Sequence, residues 1–142
     1  MTHDTQSPEA GIGSVLILED EGLVSLLLED IARELGAERI DVFADVTEAH
    51  QAALNGDYDC AVLDVFIRDG TSVQVADALE ARGIPFIFST GVGADAVGDR
   101  HRDRPVVTKP FADETLKSAL LAVYRTGQRF AERFSTLSAA TA

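Results

Sequence analysis

Four short polar stretches in this sequence each follow an apolar run. "SVLIL" leads into Glu19, Asp20 and Glu21; "YDCAVL" into Asp64; "IPFIFS" into Thr90 and Gly91; and "RPVVT" into Lys109. Carboxylates brought together without counter-charge repel one another, and some take raised pKa values. An oxygen-liganded divalent cation relieves that repulsion. Mg²⁺ suits best, because it binds through one or two carboxylates, keeps several waters and bridges to phosphate oxygens. A carboxylate beside such a cation can act as a nucleophile and form an acyl phosphate. The charge developing on the phosphoryl oxygens then calls for a cation and a hydrogen-bond donor. Lys109 can be the cation, the Thr90 hydroxyl can be the donor, and Gly91 leaves room for the phosphoryl group. Phosphoryl transfer onto a carboxylate is the chemistry open to this set.

Such a set works only if the chain brings its members to one place. Apolar runs at 14–19, 39–44, 58–65, 84–90 and within 104–110 read as five strands. Helical periodicity lies between them. In 20–36, Leu23, Leu26, Leu27, Ile31 and Leu35 recur at helical spacing, and Gly36 is a natural stop. In 45–56, Asp45 is an N-cap candidate; in 71–83, Val73, Ala76 and Leu79 point inward and Gly83 ends the helix. The last helix is read over 112–130. The segment 91–104 is glycine-rich and charged and has no useful apolar face, so its helix is expected to be short, frayed or absent. Strands alternating with helices, and strands apolar on both faces, imply a doubly wound, five-stranded parallel α/β sheet with helices on both faces. Ligands in such sheets bind beyond the carboxyl ends of the strands. If the first and third strands are neighbours, Glu19, Asp20 and Asp64 converge there. The expected organisation is a disordered leader over 1–13, one domain over 14–130 and a small-residue tail over 131–142.

The motifs "VLILEDE", "AVLDVF", "PFIFSTG" and "TKPF", in this order, resemble the receiver domain of two-component response regulators across about 14–126. The resemblance implies a flavodoxin-like sheet of order 2-1-3-4-5. It implies that Asp64 is the phosphoacceptor and that Thr90 and Lys109 are the conserved hydroxyl and lysine. It also implies that Mg²⁺ is bound by Asp20, Asp64 and the backbone carbonyl of Phe66, with Glu19 holding a metal-bound water. The Lys109–Pro110 bond is usually cis in that family. The "PFIFSTG…TKPF" pattern is similar to alphaproteobacterial receivers with a Phe-Ala-Thr-Gly signature. The chain departs from the family in four places, one of them Glu19, which replaces the commoner Asp. Val106 stands where many receivers carry an aromatic switch residue, Val92 where the subgroup has Tyr, and "VFIRDGT" replaces the common Met-Pro-Gly turn. Without the aromatic, ordering of 91–104 as Thr90 moves toward the phosphoryl group is the expected switch.

The resemblance implies a single-domain regulator, phosphorylated by a sensor histidine kinase or a histidine phosphotransfer protein. Its output would be contact with an unknown downstream protein target, or a phosphate sink or relay. It would not be an enzyme beyond handling its own phosphoryl group. A degenerate receiver acting as a binding module is one alternative. A Mg²⁺-dependent phosphohydrolase is another, but Phe66 stands where its general acid would be and no cap domain is visible.

Composition narrows the partners. The 142 residues fit one domain, and the net charge of −12 argues against nucleic acid, which needs clustered Lys and Arg. No apolar run approaches a membrane span, so no membrane partner is expected. The single cysteine, Cys60, cannot form an internal disulfide; it reads as a core thiol, and a reducing cytoplasm fits best. His3, His50 and His101 show no ligand spacing and read as structural or solvent-exposed.

Overall fold

The computed structural model describes residues 11–68, 70–91 and 97–141, with side chains as far as residue 128 and without that of Asp99. Five strands form one parallel sheet: β1 (Ser14–Leu18), β2 (Arg39–Phe43), β3 (Cys60–Leu63), β4 (Phe86–Thr90) and β5 (Val106–Thr108). Their order across the sheet is β2-β1-β3-β4-β5, the expected flavodoxin-like order. The register sets Val15 beside both Ile40 and Cys60, Ala61 beside Phe86, and Phe88 beside Val106.

Among the described residues, the four α-helices are α1 (Gly22–Glu34), α2 (Val46–Asn55), α3 (Val73–Ala81) and α4 (Asp113–Thr141). Side-chain alternation splits the core in two. Leu16, Leu18, Leu63, Phe86 and Phe88 pack under α2 and α3. Val15, Ile17, Val62, Ile87 and Val107 pack under α1 and α4. Both faces of the central strands are therefore dry, which is why those strands read as unbroken apolar runs. Cys60 lies in this core, and burial pushes its thiol pKa up.

Several expectations need correction. The leader is not loose up to residue 13: Ile12 is fully buried, and its N–H donates to the Leu35 carbonyl at 3.1 Å. Residues 1–10 lie outside the described residues. Gly36 makes this closure possible. It adopts φ +98°, and a Cβ there would come within 2.7 Å of the Gly11 Cα. In α1 the apolar stripe is wider than the core face. Leu28, Ile31 and Ala32 are buried, whereas Leu23 and Leu26 stay 85% and 57% exposed. The last helix does not stop at 130 but runs on to Thr141, through residues that contain neither Gly nor Pro to break it.

The turn after Asp64 forms a small antiparallel hairpin, Phe66–Ile67 with Gly70–Thr71. In the segment 91–104, residues 92–96, including Val92, lie outside the described residues; the described part carries one 3₁₀ turn, Asp99–His101. Among the described residues, no helix is long and apolar enough to cross a membrane.

Candidate functional site

Backbone pairing continues one residue past the strand ends and fixes where the site residues start. The Glu19 N–H donates to the Phe43 carbonyl at 3.0 Å, and the Asp64 N–H to the Leu18 carbonyl at 2.9 Å. The Lys109 N–H donates to the Thr90 carbonyl at 2.8 Å. Because β1 and β3 are neighbours, the condition for the carboxylates to converge is met. Glu19, Asp20 and Asp64 each offer an oxygen, and the three oxygens lie within 4.8 Å of one another.

Lys109 reaches into this cluster. Its Nζ is 3.0 Å from Asp64 Oδ2, 2.9 Å from Glu19 Oε1 and 3.9 Å from Glu21 Oε1. Glu19 Oε2 accepts the Glu21 N–H at 3.1 Å, which turns the chain into α1 without a side-chain cap from Glu21. Glu19 is 2% exposed and Asp64 7%. Burial, with the Asp64 charge adding to it, holds the Glu19 carboxyl above its usual pKa, and the bond from Lys109 only partly offsets this. For Lys109, burial works to lower the ammonium pKa, but the bonds and charges of Glu19 and Asp64 outweigh it and leave the value raised.

The donor set fits a hard divalent cation: clustered carboxylate oxygens at an open sheet end, with one lysine against three acids. Asp20, half-buried, faces the hairpin, where its Oδ2 accepts the Arg68 N–H at 2.9 Å. Phe66 begins that hairpin with its side chain exposed, so its backbone lies on the rim two residues past Asp64. Thr90, 1% exposed, ends β4 in register with Thr108. The Lys109–Pro110 bond is cis. Val106 is half-buried against the α2/α3 side of the core.

Sequence reasoning missed the Arg68 contact and left His101 open between structural and solvent-exposed. Arg68 binds Asp20 through a backbone N–H and brings its guanidinium Nε to 3.8 Å from the same oxygen. His101 is fully buried and structural. Its Nε2 lies 2.8 Å from Asp77 Oδ1 and its Nδ1 3.2 Å from Glu80 Oε1, while its ring meets Phe86 and Phe88 edge-on. It pins the 3₁₀ turn to α3. His50 is half-buried, and His3 lies outside the described residues.

No protein-family model matches the chain. It is 32% identical over 120 residues to the transcriptional regulatory protein TcrA of Mycobacterium tuberculosis, a match covering 80% of this chain and 46% of TcrA. The chain thus spans about half the length of the curated relatives it matches. Among solved structures, SdrG from Sphingomonas melonis is 41% identical, with 80% of this chain and 96% of that one covered and a TM-score of 0.69. The receiver domain of the Erythrobacter litoralis response regulator PhyR is 32% identical, with 84% and 92% covered and a TM-score of 0.68. Carboxylates and lysine gathered at the ends of a 2-1-3-4-5 sheet, together with two solved structures matched over nearly their whole length, lead to one assignment. The chain belongs to the receiver domains of two-component response regulators, in the alphaproteobacterial subgroup.

Proposed function

We propose that this receiver accepts a phosphoryl group on Asp64 from the phosphohistidine of a sensor kinase or a histidine phosphotransfer protein. The observation that carries the reading is Asp64 Oδ2 held 3.0 Å from Lys109 Nζ, in a carboxylate cluster whose oxygens lie within 4.8 Å. An Asp64 oxygen attacks phosphorus as the donor's P–N bond breaks, and the electron pair stays on the histidine nitrogen. Lys109 then turns from the carboxylate to the new phosphoryl oxygens, and the Thr90 hydroxyl donates to another. Asp20 and Asp64, the Phe66 carbonyl and, through water, Glu19 are the groups that would hold Mg²⁺. When bound, Mg²⁺ supplies positive charge to the phosphoryl oxygens.

Two relatives support this. The receiver domain of the sensor histidine kinase PA1611 from Pseudomonas aeruginosa, 23% identical with a TM-score of 0.63, has a magnesium ion in its active-site cleft. SdrG has a solved BeF3-activated conformation, to which this chain is 39% identical. Exposed Leu23 and Leu26 on α1, next to the site, offer apolar contact to the histidine-bearing partner. Output follows through a downstream protein, or through a phosphate sink or relay. The only turnover expected is gain and hydrolysis of the protein's own acyl phosphate.

Incubation with acetyl phosphate and Mg²⁺, followed by intact-mass measurement, tests the reading. One hydroxylamine-labile phosphoryl group on the wild type and none on Asp64→Asn is the expected result. No labelling of the wild type, or labelling that survives in Asp64→Asn, overturns it. Absence of labelling would favour the second reading, a phosphorylation-independent binding module, to which Val106 in the aromatic position points.

A further inference from the structure

Ser89 stands where the Phe-Ala-Thr-Gly signature has alanine. It is fully buried, and its Oγ has no hydrogen-bond partner. A buried hydroxyl without a partner works against the fold, and an alanine would fill the same place without that cost.

The sheet register says where this hydroxyl points. Ile17, Val62 and Ile87 are cross-strand neighbours on the α1/α4 face. Two residues further along each strand, the same face carries Glu19, Asp64 and Ser89. Ser89 is itself in register with Val107, two residues before Lys109. Ser89 therefore sits in one row with Glu19 and Asp64, between the strand of the acceptor and the strand of the lysine. From one step beyond, Lys109 reaches back over this row, with Nζ 2.9 Å from Glu19 Oε1 and 3.0 Å from Asp64 Oδ2. An ammonium has three N–H donors; Nζ donates one to Asp64 Oδ2 and lies at ion-pair distance from Glu19 Oε1, which leaves donor capacity for a further acceptor. Glu21 Oε1, at 3.9 Å, is beyond hydrogen-bond reach.

We infer that Ser89 is a positioning residue of the phosphorylation site, whose hydroxyl accepts an N–H from Lys109 once the ammonium turns from Asp64 to the phosphoryl group. The inference rests on the reading of Asp64 as acceptor. An unpaired hydroxyl in the resting site becomes a paired one in the phosphorylated site, so Ser89 favours the phosphorylated state over the resting one. Lys109 remains the group that touches the phosphoryl oxygens, and Ser89 acts through it.

The test is Ser89→Ala in the full chain, titrated calorimetrically with beryllofluoride in the presence of Mg²⁺. Three readouts are expected together. Beryllofluoride binds about tenfold more weakly than to the wild type, as loss of one charge-assisted hydrogen bond implies. The melting temperature of the free variant equals or exceeds that of the wild type, because no unpaired hydroxyl remains. The Lys109 ammonium protons, followed by NMR, exchange more slowly with solvent on beryllofluoride binding in the wild type but not in the variant. Wild-type affinity in Ser89→Ala overturns the inference and leaves the acceptor reading intact. Weaker binding together with a lower melting temperature overturns it in favour of a packing role. A wild type that does not bind beryllofluoride removes the acceptor reading and this inference with it.

Discussion

Lys109 neutralises a site that would otherwise hold Glu19 and Asp64 close together and largely out of water. Replacing it by Met leaves those charges unpaired. Lys109→Met should therefore cost about 3 kcal/mol of unfolding free energy in urea at neutral pH, at the low end for breaking a buried pair. Mg²⁺ at ten times its Kd should add about 1.4 kcal/mol to wild-type stability. Chelation should remove that increment, and Asp20→Asn should reduce it at the same Mg²⁺ concentration. A melting series with and without chelator checks both. The gathering of Glu19, Asp20, Asp64 and Lys109 at one sheet end, with Thr90 ending β4, was legible in the sequence because each follows an apolar run, and strand ends in an open α/β sheet are where polar side chains meet. Their separations, and the Arg68 bond to Asp20, were not. The bond is donated by the Arg68 backbone N–H, a group that nearly every residue has, with the guanidinium Nε 3.8 Å from the same oxygen. For His101 the sequence left structural and solvent-exposed readings open, because its partners Asp77 and Glu80 lie on a separate element, α3.

The helices and loops show where local signals suffice. Asp45 was legible as the N-cap of α2, and its Oδ1 accepts the Glu48 N–H at 2.8 Å. Asp45→Ala should lower stability by about 1 kcal/mol in denaturant melts. The exposure of Leu23 and Leu26 was not legible, because periodicity gives the width of an apolar stripe and not the width of the face the sheet can cover. The hairpin at 66–71 was missed because two-residue strands carry no periodic signal. Beyond the sequence signals, β2 is tied to the start of β3 by Tyr58, whose hydroxyl donates to Asp41 Oδ2 at 2.6 Å. Burial, with that bond adding to it, pushes the Tyr58 pKa up to about 12, and the same bond is the main cause of the lowered Asp41 value. The folded state thus keeps the phenol proton longer than the unfolded chain. This contribution is present below pH 10 and is lost as pH rises toward about 12. The Asp41 contribution has the opposite sense: it is present above pH 3.8 and lost as pH falls through the depressed value. Tyr58→Phe should cost about 1 kcal/mol at neutral pH and flatten both limbs of the stability profile. Urea melts across the pH range read both effects.

Taken whole, the molecule gathers its chemistry at one sheet end and ties the neighbouring loops to it. Thr90 closes β4 at the site, and Phe88, two residues earlier, packs against His101, which holds the 3₁₀ turn onto α3. Phe88, His101 and α3 are thus packed in series beside Thr90, and these contacts do not involve position 106. The strand order was legible only through the family motifs, since apolar runs and helical periods do not say which strands are neighbours. The net charge of −12 puts a premium on basic or metal-bridged contacts for whatever docks there. The most direct measurement is amide NMR of the protein with Mg²⁺ and then with added beryllofluoride, run beside Asp64→Asn. Shifts concentrated at 19–21, 64–66, 90–91, 97–104 and 109, and absent from the variant, are the result predicted for a phosphorylation switch built on Asp64. Resonances at those positions that respond to neither addition, or that respond equally in Asp64→Asn, would contradict it.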